Sequence, residues 1–178
     1  MELPGSAYLY TLATLAITYG GFAALFMLFR HDLDGRLAHY DAFVVRGVVQ
    51  KGFVVAASAM LPPLLFYCGL PQPLAWRIAC AAAGLLQALF LLTWIPRRHA
   101  VKDVPTSAGL VFNLVAQLLT AGFLLAAASG EFFAAGPGAF MIGVTLILFL
   151  SAIAYQEALI FLLRGDAGKS RRRATRDG

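Results

Sequence analysis

The sequence predicts an all-α membrane protein: a bundle of five transmembrane helices with the N-terminus outside and the C-terminus cytoplasmic. Three observations carry this. Hydrophobic residues make up 60% of the 178 and charged residues only 13%, with a mean hydropathy of +0.77, whereas soluble chains carry about 25% charged residues. Five segments, residues 7–29, 52–70, 75–95, 107–129 and 138–163, are each apolar over the roughly 20 residues needed to cross the hydrocarbon core. Lysine and arginine alternate between successive connections. There are none before the first span, four across Arg30 to Lys51, and one (Arg77) at the start of the third span. Three follow across Arg97 to Lys102, none before the fifth span, and six from Arg164 onward. The positive-inside rule then places the first end outside and the last inside.

These bounds leave one domain, residues 1–164, and a basic tail, 165–178, whose few apolar residues predict disorder. The first residues carry Glu2 and no Lys or Arg, unlike the n-region of a signal peptide, so the first span is expected to be retained. Two cysteines, Cys68 and Cys80, make no zinc-type cluster and are expected to be free thiols. No metal and no cofactor is expected. The net charge of +5 lies in connections and tail, which suits a lipid bilayer as partner and not nucleic acid.

In the first span Thr11, Thr14, Thr18 and Gly21 share a face and predict a helix–helix contact of small and hydroxyl residues. The helix of the second span is expected to begin near Asp41, in the interface. On it His39, Arg46, Gln50 and Ala57 share a face that would turn Arg46 and Gln50 inward, with Lys51 on another side, snorkelling to headgroups. Pro62-Pro63 predicts a kink. Pro71-Gln72-Pro73 makes a short turn, so the second and third spans should be antiparallel. The third span aligns Arg77, Cys80, Gly84 and Gln87. The fourth carries the narrowest polar stripe, Thr106, Gly109, Asn113, Gln117 and Thr120, which should face protein or water. Tyr8, Tyr10, Tyr67 and Trp76 fall at the outer interface, Tyr40 and Trp94 at the inner one.

Glu157 is the one acidic residue well inside an apolar segment, and an ionisable group in hydrocarbon is a site hypothesis by default. Arg46 is its expected partner, with Lys51 second. The candidate substrate or ion site is therefore Glu157, Arg46, Gln50, Gln87, Asn113 and Gln117. The tail residues Lys169, Arg171, Arg172 and Arg173 are candidates for anionic-lipid contact.

Three function classes fit these residues. The first is a small ion or small-molecule channel or transporter subunit of a bacterial inner membrane. The second is a structural or accessory membrane subunit in which the polar residues only specify packing. A lipid-modifying enzyme at the membrane surface would use His31, Asp32, Asp34, His39 and Asp41 to hold a divalent ion, but the acids lack the phosphatidyltransferase spacing and no catalytic residue is assigned. A five-span bundle is small, so a pore or site would form between copies or with a partner subunit.

Overall fold

The computed structural model describes residues 3–34, 39–99, 108–130 and 136–174. They form five α-helices: α1 (Ser6–Asp34), α2 (His39–Tyr67), α3 (Gln72–His99), α4 (Ala108–Ser129) and α5 (Pro137–Ala174). No strand occurs among the described residues. Each helix contains a stretch long and apolar enough to cross a membrane: Ser6–Phe26, Val45–Tyr67, Gln72–Arg97, Ala108–Ser129 and Pro137–Glu157. The chain is thus a multi-pass membrane protein by length and hydropathy. The second helix begins as early as His39, and α5 continues as helix to Ala174, through the stretch whose composition predicts disorder.

Neighbouring helices run antiparallel. The α2–α3 turn is closed by a Schellman motif, in which Gly69 N–H donates to Phe66 O at 3.0 Å and Leu70 N–H to Leu65 O at 3.2 Å. Gly69 supplies the left-handed backbone, φ 85°, that this motif requires. At the same end of the bundle Arg77 closes α4. Its Nη2 donates to Ser129 O at 2.7 Å and its Nε to Ala128 O at 3.3 Å. A cation there satisfies orphan carbonyls and opposes the negative end of the helix dipole.

The core is made largely of small and aliphatic side chains, including Leu9, Leu12, Ala13 and Ala16 of α1, Val55, Ala56 and Ala59 of α2, Ala79 and Ala83 of α3, Leu124 of α4 and Val144 of α5, with Trp76 and Phe140 among them. Helices α1 and α2 approach closely at Gly52, where a methyl group would lie 2.8 Å from the Ala16 carbonyl oxygen. Small residues permit this backbone approach, the usual basis of helix association where lipid removes the hydrophobic driving force.

Two expected faces are corrected here. Thr11, Thr14, Thr18 and Gly21 are exposed, and the contact face of α1 is the aliphatic one. The Thr11 and Thr14 hydroxyls donate to Ala7 O and Tyr10 O within their own helix, both at 2.9 Å, so they need no partner helix. Trp76, at the start of α3, faces protein and not lipid or water: it is buried, 5.7 Å from the Phe140 ring centroid, and joins α3 to α5. The Pro62-Pro63 pair lies within a continuous α2, both rings buried. Cys68 and Cys80 are free thiols.

Candidate functional site

The polar centre of the bundle is Lys51. Its side chain is 3% exposed, on the face of α2 that also carries Val48, Val55 and Ala59. It does not snorkel. The Nζ donates to Gln87 Oε1 at 2.8 Å and to Gln117 Oε1 at 2.5 Å, and lies 4.2 Å from the centroid of the Phe90 ring. A ring face attracts a desolvated ammonium by about 2 kcal/mol.

The amides then connect to one another. Gln87 Nε2 donates to Gln117 Oε1 at 2.9 Å, Gln117 Nε2 to Asn113 Oδ1 at 2.5 Å, and Asn113 Nδ2 to the Leu150 carbonyl at 2.7 Å. One chain of hydrogen bonds therefore crosses α2, α3, α4 and α5. Gln87, Asn113 and Gln117 are all buried. At 1.5 Å per residue Lys51 lies about 9 Å along α2 from Val45, Gln87 about 15 Å from Arg97, and Gln117 about 13 Å from Ala108. The cluster thus sits well inside the apolar zone. Among the described residues no carboxylate pairs with Lys51.

The next carbonyl of α5 is recruited from the other side: Tyr19 Oη donates to Ser151 O at 2.9 Å. The Tyr19 ring meets that of Tyr155 edge-on at 5.8 Å. A second tie between α1 and α5 is the 2.6 Å hydrogen bond joining Tyr8 Oη and Thr145 Oγ1. Between these ties is a groove of about 340 Å³, lined by residues such as Leu12, Leu15, Leu148 and Phe149 and by no member of the Lys51 cluster.

Of the six residues expected to form a site, three come together: Gln87, Asn113 and Gln117. Arg46 is exposed and Gln50 half-buried, both outside the cluster. Glu157 is exposed too, and its carboxylate lies against Gly109, in the first turn of α4. A negative charge beside the positive end of a helix dipole is stabilising. Glu157 therefore stands at a helix N-terminus and does not meet Arg46, because antiparallel packing of α4 on α5 brings it to the start of α4. Glu157→Gln should cost about 0.3–1 kcal/mol of stability, most at low salt. Arg46→Gln should stay within about 0.5 kcal/mol, as exposed positions do. Chemical unfolding in detergent distinguishes them, and equal losses repaired in the double variant would instead show an ion pair.

Sequence reasoning missed Lys51. Two stripes at helical spacing run along α2, one through Arg46 and Gln50 and one through Lys51 and Val55, and spacing alone favours neither. The signal that could have decided is the amide pair Gln87 and Gln117 on two other spans, which needs a donor between its oxygens. The side chains of His31, Asp32, Asp34, His39, Asp41 and His99, and of Lys169, Arg171, Arg172 and Arg173, lie outside the described residues. No group of three or more His, Cys, Asp or Glu suited to a metal ion occurs among the described residues. No protein-family model, curated protein or solved structure matches the chain.

Proposed function

We propose that the chain is a small channel or transporter subunit of a bacterial inner membrane, N-terminus outside and C-terminus cytoplasmic, working through the Lys51 cluster. The observation that supports this is a lysine amine buried in the apolar zone and held, among the described residues, by neutral groups of α3 and α4. A junction that merely fixed packing would need no charge, since neutral amides hydrogen-bond across helices unaided. A charge at that depth is costly, and such residues mark ion and substrate pathways. The alternation of Lys and Arg between connections supports the orientation. The basic tail after Arg164 would lie along the anionic leaflet, each charge near the surface contributing about 1 kcal/mol. Five helices enclose little, so a second copy or a partner subunit would complete the passage.

Reconstituted liposomes test the reading through flux of protons, alkali cations and simple anions. Wild-type protein should carry at least one of these well above empty vesicles, and Lys51→Met should abolish it while keeping the fold. Absence of all flux under every gradient would favour the accessory-subunit reading. A C-terminal reporter active only on the outer side would overturn the orientation.

A further inference from the structure

We infer that the species received by the Lys51 cluster is a small monovalent anion, an inference that rests on the transport reading of the same site. The hydrogen-bonding inventory is lopsided. Lys51 brings three N–H donors and Gln87, Gln117 and Asn113 two each, nine in all, against three amide oxygens and the Leu150 carbonyl. The five bonds described use five of the nine donors. Exchanging O and N of any amide leaves this inventory unchanged.

A cation site needs the reverse, several oxygens converging on one point with negative charge nearby. Here the amide oxygens of Gln87 and Gln117 already converge on an ammonium, which occupies the place a metal cation would take and repels another. The Phe90 face adds stabilisation for a positive charge and no ligand atom.

The geometry also marks where an anion would sit. Lys51 Nζ and Gln87 Nε2 both point at one atom, Gln117 Oε1, at 2.5 and 2.9 Å. This oxygen is the internal stand-in for a bound anion. If the Gln117 side chain swings aside, two convergent donors and one positive charge face the vacated position. A halide, or one oxygen of nitrate or a short carboxylate, fits that description. A multiply charged oxyanion does not, because a single positive charge in a medium of low dielectric would leave it uncompensated. The described state, with all four side chains buried, is then the occluded one.

Two measurements on the full chain decide this. In detergent, thermal unfolding is followed against chloride, nitrate and acetate, with sulfate at equal ionic strength as control. Wild type should gain stability saturably with the monovalent anions, Lys51→Arg should keep the response and Lys51→Met should lose it. In vesicles of phosphatidylcholine and phosphatidylglycerol, efflux of the same anions with potassium shunted by valinomycin should exceed that of Lys51→Met by about tenfold or more. Lys51-dependent flux of protons or sodium without any anion response would overturn the anion assignment and leave the transport reading standing. A saturable, Lys51-dependent anion response without flux of any solute would keep the anion site and remove transport. Should Lys51→Met not fold, Gln87→Met removes one convergent donor and keeps the charge. It must weaken the anion response about tenfold, and an unchanged response would sink the proposal.

Discussion

Replacing Gln117 by leucine is expected to cost about 3 kcal/mol, among the largest losses available to a single side chain in this protein. Its Oε1 accepts from both Lys51 and Gln87, and its Nε2 satisfies Asn113. Leucine of similar volume would leave a buried ammonium with one amide acceptor, and an uncompensated buried charge is what makes such removals expensive. Lys51→Met by itself should be near neutral or stabilising, because a buried charge replaced by an apolar chain of similar length no longer has to be desolvated. The double variant should then cost only about 1 kcal/mol for the remaining unsatisfied amides. A coupling of about 2 kcal/mol between Lys51 and Gln117 is the signature of the charge. Unfolding in mixed detergent measures it, and additive losses would show that Lys51 is not held by Gln117 in the membrane.

The second large effect is at Gly52. A methyl group there would meet the Ala16 carbonyl oxygen at 2.8 Å and the Gly20 Cα at 3.6 Å, so the obstacles are backbone atoms that cannot rotate away. Gly52→Val should push α1 off α2 and cost about 1–3 kcal/mol, the range for overpacking, or more. It should also disturb the Lys51 cluster, whose lysine is the preceding residue. Gly122→Ala is the control: nothing lies within 4 Å of its added methyl, and alanine is the better helix former by about 1 kcal/mol. It should be neutral or stabilising. If both substitutions behave alike in unfolding experiments, the α1–α2 approach is looser than described.

Much of the fold was legible because hydropathy over a span is a sum over some twenty residues, and no single side chain can reverse it. The polar faces of α3 and α4 were legible for a related reason. Gln87 in the third span, and Asn113 and Gln117 in the fourth, are the side-chain amides of those spans, and side-chain amides in hydrocarbon must find partners. The faces of α1 and α2 were not. Hydroxyls such as Thr11 bond their own helix and so carry no information about which side meets protein. On α2 two basic stripes competed, and only the position of Gln87 and Gln117 on other helices selects Lys51. Glu157 was paired with Arg46 because spacing along α5 cannot reveal that its carboxylate lies against Gly109, at the start of α4. Arg77 closing the last carbonyls of α4 was missed for the same reason.

The two recruited carbonyls of α5 have a mechanical consequence. Leu150 O receives Asn113 from α4, and Ser151 O receives Tyr19 from α1. Successive residues of an α-helix project about 100° apart around its axis. A rod tethered at two adjacent points on different sides can neither roll nor slide without breaking a tether. Helix α5 is therefore the fixed post of the bundle, against which α2, α3 and the Gln117 side chain of α4 would move in any opening around Lys51.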